Sequence, residues 1–235
     1  MTSPLLKLLA ENQWADFQPL MDEIQHWSHW PVFMGALTHL NRDALYDSRV
    51  HGLGHIERTM LHGAFCAMYD GLDEGDTALL LDCCAYHDVG RVNDSVDHLH
   101  GHRSAQRLAA LTGRGGEELN MMMAAVDAHS RPESDLIPTL QGYHPAQWER
   151  CLRLAQLLKD ADGLDRVRIF DLDVSHLRRE ESRRREGFAE YLFGRYQRLI
   201  GAPLRPPFPE ELTRKLEQRQ SERNQRRHRQ PRFEG

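Results

Sequence analysis

Residues 55–69 and 77–87 are apolar on most faces beyond their first turn. A helix of that kind is stable in water only when other helices surround it. Both segments therefore belong at the centre of a multi-helix assembly. Around them, residues 103–112, 117–129, 146–161 and 176–200 carry apolar side chains at three- and four-residue spacing, as in Leu154, Leu157, Leu158 and Ala161. No convincing run of period-two alternation with β-branched residues occurs, and Asn-Gly or Asp-Gly turns between strand-like runs are absent. The pattern predicts an all-α chain: a single helical bundle over about residues 1–200, in which residues 1–49 form a helical extension packed on residues 50–200.

The chain has 235 residues, 40% of them hydrophobic and 28% charged, a composition that excludes wholesale disorder, a collagen-like fibre and a disulfide scaffold. Cys66, Cys83, Cys84 and Cys151 form no Cys-x-x-Cys pair and lie in apolar runs, which reads as buried free thiols in a reducing compartment. No stretch approaches the ~18 consecutive apolar residues of a membrane span. The apolar run within residues 1–17 is too short for a secretory signal and is interrupted by Lys7. The expectation is a cytoplasmic protein with no membrane partner. Four prolines in residues 201–211 end the regular structure, and residues 212–235 carry eight basic against three acidic residues. This basic tail is read as a peripheral charged terminus. A nucleic-acid contact is the lesser reading, because the rest of the chain is acidic. Association into a homo-oligomer is left open.

Histidine stands out, with 14 residues. About one His-Asp pair is expected by chance in such a composition, so His87-Asp88 means little alone. Its setting means more, because it ends a strongly apolar helix. Imidazole and carboxylate together are ligand chemistry for Zn, Mn, Fe or Co. Other candidates flank it: His51 and His55 upstream, His98, His100 and His102 downstream, then His129, then Asp160, Asp162 and Asp165. Asp162 continues the apolar stripe of Leu154, Leu158 and Ala161, so it faces the core and needs a cation or hydrogen-bond donors.

The order His55, His87-Asp88 and Asp162 resembles the HD-domain superfamily of metal-dependent phosphohydrolases, in which a helical bundle holds metal with a His, a His-Asp pair and a distant Asp. Residues 159–168, Lys-x-Ala-Asp-x-Leu-Asp-x-x-Arg, look like the last motif of that family and select Asp162. His55, with Arg58 three residues on, fits the first motif better than His51. The resemblance covers roughly residues 50–170. His100 and His129 occupy, in order, the positions of two further histidines found in two-metal branches. The paired histidines and Gly-Tyr-Pro signature of cyclic-dinucleotide esterases are missing, which argues against a cyclic-di-GMP substrate.

The resemblance implies a metal-dependent phosphohydrolase that hydrolyses a nucleotide or another small phosphoester. Its metal ligands would be His55, His87, Asp88, His100, His129 and Asp162, around one or two divalent transition-metal ions (Fe, Mn, Co, Ni or Zn). In a two-ion arrangement His55 and His87 bind one ion, His100 and His129 the other; Asp88 bridges, and Asp162 completes the first. Asp88, His100 and Lys159 are the expected catalytic residues. His51, Arg58, Arg91, Arg103 and Arg166 are the expected substrate-binding residues, the arginines through forked contacts to phosphate. The same ligand set also resembles di-iron oxygenases of the superfamily, and a non-catalytic nucleotide-sensing module is a further alternative.

Overall fold

The computed structural model describes residues 3–204, and within them there is no β-strand. The expected basic tail lies outside the described residues. Twelve α-helices follow one another: α1 (Pro4–Glu11), α2 (Gln18–Gln25), α3 (Trp30–Thr38), α4 (Leu53–Tyr69), α5 (Glu74–Tyr86), α6 (His100–Ala105), α7 (Leu108–Thr112), α8 (Gly116–His129), α9 (Leu136–Gly142), α10 (Trp148–Leu164), α11 (Glu180–Arg183) and α12 (Glu186–Leu199). Local chemistry starts several of them. Ser3 accepts from the Leu6 N–H ahead of Pro4, and Asp73 accepts from Asp76 N–H at the head of α5.

The two apolar segments are the central helices. In α4 every residue from His55 to Ala67 is buried, and α5 buries Leu79, Leu80, Leu81, Cys83 and Cys84. Helix α10 packs against α4, α5 and α8, and α6 lies along α8. Leu5, Leu8, Met21, Phe33 and Leu37 from the first three helices, with Trp14 from the connection between α1 and α2, join the same core as Met60, Phe65, Leu80, Met122 and Leu158. The first helices thus share one core with the rest. All four cysteines are free and buried. No helix among the described residues is long and apolar enough to cross a membrane.

The periodic run 176–200 is broken into α11 and α12 with a turn at residues 184–185. Its arginines do not form one solvated face. Arg178 and Arg179 reach Asp160 and Asp70 on other elements, and Arg185 is buried over the rings of Phe65 and Tyr69. Likewise 103–112 divides into α6 and α7.

Candidate metal centre

Six side chains converge where α4, α5, α6, α8 and α10 meet. His55 comes from the first turns of α4, His87 and Asp88 from the end of α5, His100 from the start of α6, His129 from the last turn of α8, and Asp162 from α10. Two glycines permit the approach. A Cβ on Gly90 would stand 2.4 Å from Ser104 N and 2.6 Å from His100 O; one on Gly101 would stand 2.5 Å from Val126 O. The first lets the loop after Asp88 press on α6, and the second lets α6 press on α8, so His100 is carried back to both Asp88 and His129.

Each imidazole is oriented through Nδ1. His55 Nδ1 donates to Asp165 Oδ2 at 2.8 Å and His87 Nδ1 to Cys84 O at 2.9 Å. His100 Nδ1 donates to Asp97 O and His129 Nδ1 to Val126 O. A carbonyl or carboxylate can only accept, so all four rings carry the proton on Nδ1 and turn an Nε2 lone pair inward. There His55 Nε2 lies 3.0 Å from His87 Nε2, and His100 Nε2 lies 2.9 Å from His129 Nε2. Burial holds the His55, His87 and His129 rings below the ordinary imidazole range, which opposes a shared proton as the solution. Two pairs of facing lone pairs in a buried site could hold a metal ion.

Asp88 stands between the pairs. Its Oδ2 is 3.5 Å from His55 Nε2 and 3.7 Å from His87 Nε2; its Oδ1 is 2.9 Å from His100 Nε2 and 3.6 Å from His129 Nε2. None of the Oδ1 contacts has hydrogen-bond geometry, so a buried carboxylate oxygen is left orphaned. Burial pushes the Asp88 carboxyl up, but Arg91 and His87 outweigh it and hold the group well below the usual carboxylate range. Asp162 is likewise held ionised, because His87, His55 and Arg168 overcome the effect of burial.

The donor atoms form three overlapping groups that could hold a metal ion: His55, His87 and Asp88; Asp88, His100 and His129; and His87, His129 and Asp162. Asp88 belongs to the first two. Asp162 Oδ1 lies 3.4 Å from His55 Nε2 and 3.8 Å from His87 Nε2, and it also groups with His129. It therefore faces both halves rather than completing the first alone. The donor set, mixed imidazole and carboxylate with inward lone pairs and an orphaned oxygen, fits a divalent transition metal.

Several expected substrate contacts are used otherwise. Arg58 is 3% exposed and grips Asp165 with Nε at 2.6 Å and Nη2 at 2.9 Å, so it positions the carboxylate that aims His55 instead of meeting a phosphate. Lys159 sends its ammonium to the carbonyls of Ala128, His129 and Arg131, where it caps the end of α8. Arg166 pairs with Asp171, and Arg103 with Asp97 and Gly90 O. Arg91 does stand at the site, its Nε 3.0 Å from Asp88 Oδ1, and His51 lies edge-on to His55. Of the neighbouring histidines, His102 is bound to Asp127 and His98 to Ser130 O; His62 is buried elsewhere, with both ring nitrogens unpaired.

The expected roles omit two residues that matter. Arg168 is buried, 4.0 Å from Asp162 Oδ1, and Asp165 orients His55. Both lie inside the 159–168 motif, and their three-residue spacing was the signal available: Arg168 Nη1 donates back to Asp165 O at 3.1 Å. Compared with family models, with curated proteins and with solved structures, the chain matches none.

Proposed function

We propose that this chain is a metal-dependent phosphohydrolase of the HD type, acting on a nucleotide or another small phosphoester. The observation that carries the reading is the division of Asp88. One oxygen faces His55 and His87 while the other faces His100 and His129. A carboxylate shared between two imidazole pairs suits two adjacent cations better than one. His55, His87 and Asp88 would hold the first, Asp88, His100 and His129 the second, and Asp162 would serve both. The donor types favour Fe, Mn, Co, Ni or Zn. Such ions, when bound, acidify a coordinated water and neutralise charge that builds on a phosphoryl group.

The protein's own part is positioning and charge. Asp165, Cys84 O, Asp97 O and Val126 O fix the four rings in the tautomer that presents Nε2. Arg91 and Arg168 contribute to keeping Asp88 and Asp162 ionised and add positive charge beside the space a phosphoester would enter. Four free buried cysteines are in keeping with a cytoplasmic setting.

The test strips the protein with a chelator and reconstitutes it with Mn, Fe, Co, Ni, Zn or Mg. Bound metal and phosphate release from a panel of nucleotides and phosphoesters are then measured. Two equivalents of metal and release that vanishes in Asp88→Ala are expected. Metal binding without phosphate release, but with dioxygen uptake by the iron form, would replace this reading with the oxygenase. A protein that binds no metal would point to a nucleotide-sensing module.

A further inference from the structure

A seventh polar side chain borders the ligand cluster without belonging to it. His51, 6% exposed, lies just before α4, and its ring stands at 90° to that of His55 with centroids 6.1 Å apart. Its Nδ1 donates to Asp94 Oδ1 at 2.9 Å. The same oxygen accepts from Ser48 Oγ at 2.6 Å, and that hydroxyl accepts from the N–H groups of Val50 and His51 at 2.9 and 3.0 Å. This knot ties the turn before α4 to the loop that runs between Asp88 and His100. It also fixes the tautomer: with Nδ1 donating to a carboxylate, Nε2 of the neutral ring is an acceptor. Burial is the main influence that favours the neutral ring; Asp94 and Asp88 pull the other way, and Arg168 and Arg91 act with burial. Nε2 makes no hydrogen bond among the described residues. Unlike the sealed ring nitrogens of His62, it is not fully enclosed.

An acceptor beside a metal centre has a definite chemical preference. Ionised phosphoryl oxygens are themselves acceptors and cannot satisfy it; a hydroxyl can. We propose that His51, oriented by Asp94, is a specificity-determining residue that accepts a hydrogen bond from a substrate hydroxyl, so that the site selects phosphoesters with a hydroxyl a few bonds from the phosphoryl group. The inference rests on the phosphohydrolase reading and refines the substrate contact expected of His51: it reads the alcohol or sugar side of the ester and not the phosphate.

Calorimetry on the metal-loaded full chain tests it with non-hydrolysable probes. Hydroxymethyl-, 2-hydroxyethyl- and 3-hydroxypropylphosphonate are each compared with the isostere in which methyl replaces the hydroxyl. At least one hydroxylated probe should bind the wild type about ten-fold more tightly than its partner, because a site built for a hydroxyl rejects the analogue lacking it. His51→Phe should abolish that preference. His51→Gln, which keeps an acceptor, should retain part of it, and both should leave bound metal unchanged. Equal affinity within every pair in the wild type, or a preference untouched by His51→Phe, overturns the inference while the phosphohydrolase reading stands. Failure of every phosphonate to bind the loaded wild type overturns that reading, and this inference with it.

Discussion

Asp165 and His55, 110 residues apart in sequence, are joined by a 2.8 Å hydrogen bond that aims His55 Nε2 at the His/Asp cluster that could hold a metal. The carboxylate is held in turn by Arg58, whose guanidinium lies over the rings of Phe193 and Tyr196 at 5.1 and 5.0 Å, and Arg168 Nη1 stands 3.7 Å from its Oδ2. A buried carboxylate is tolerable only when matched in this way. The same arrangement ties α12 and the segment after α10 to the ligand on α4.

Weakening that bond should loosen the metal without dismantling the fold. Asp165→Asn keeps the shape of the side chain but removes its charge. Metal affinity should fall about 10- to 100-fold, the usual effect of losing the partner of a ligating histidine. Titration of metal-free protein against a competing chelator reads the affinity, and far-ultraviolet circular dichroism checks that the helices persist. Unchanged affinity would mean that His55 does not depend on Asp165 for its aim.

The two imidazole pairs predict distinct stoichiometries. After reconstitution, His100→Ala and His129→Ala should each lower bound metal from two equivalents toward one, while Asp88→Ala should deplete both, since its two oxygens face both pairs. His51→Ala should leave the count unchanged. A single equivalent in the saturated wild type, indifferent to His100 and His129, would mean that those two rings are not ligands.

Gly101 offers a test from outside the ligand set. A methyl group there meets Val126 O at 2.5 Å, Ser130 Oγ at 2.7 Å and Asp127 O at 2.9 Å, so α6 must move off α8 and take His100 with it. Gly101→Ala should cost about 1–3 kcal/mol in urea unfolding, the range for overpacking, and should lose the second equivalent of metal. Gly35→Ala is the control: nothing lies within 4 Å of its Cβ position in α3, and it should be neutral or stabilising by up to ~1 kcal/mol. Full metal content in Gly101→Ala would show that the contact between α6 and α8 does not set the position of His100.

His62 should make stability depend on pH. It is fully buried against Phe188 with both ring nitrogens unpaired, and burial pushes it down to about 3 from an ordinary value of 6.5. Between those values the unfolded chain binds a proton that the folded protein refuses, so stability rises with pH across that window. Its contribution is complete above about pH 6.5 and is lost as pH falls toward about 3. His62→Leu removes the group. The variant should therefore gain stability over the wild type in urea melts at pH 5, and gain more there than at pH 8. A gain of equal size at both values would show that the ring does not titrate on unfolding.

Much of the architecture can be read along the chain. Buried helices announce themselves when apolar residues cover most faces, and α4 and α5 run within three residues of the segments 55–69 and 77–87. Helical spacing likewise marks α8 and α10. Polar residues on such helices are conspicuous because burying them has a cost, which singles out Asp162; His87-Asp88 stands out by ending an apolar helix, and His55 only through the resemblance to the HD-domain order. The break in 176–200 was less visible. Periodicity persists across a turn when both pieces face the same core, and Arg185 looks like its exposed neighbours until Phe65 and Tyr69 are seen beneath it.

The sequence by itself determined the all-helical class, the central pair of helices and the identity of the polar side chains that interrupt their apolar faces. Local spacing and burial cost are properties of a segment, and they survive without knowledge of the rest. Only the tertiary structure decided which partner each polar group meets. Arg58 turns to Asp165 rather than to a phosphate, Lys159 closes the end of α8, Asp162 faces both halves of the cluster, and Asp94 holds His51 from 43 residues away. A charged side chain on a helix looks the same in sequence whether water, a counter-charge or a ligand awaits it. The distinction is made by which helix faces come together, and here close approach at Gly90 and Gly101 sets that for the His100 side of the site.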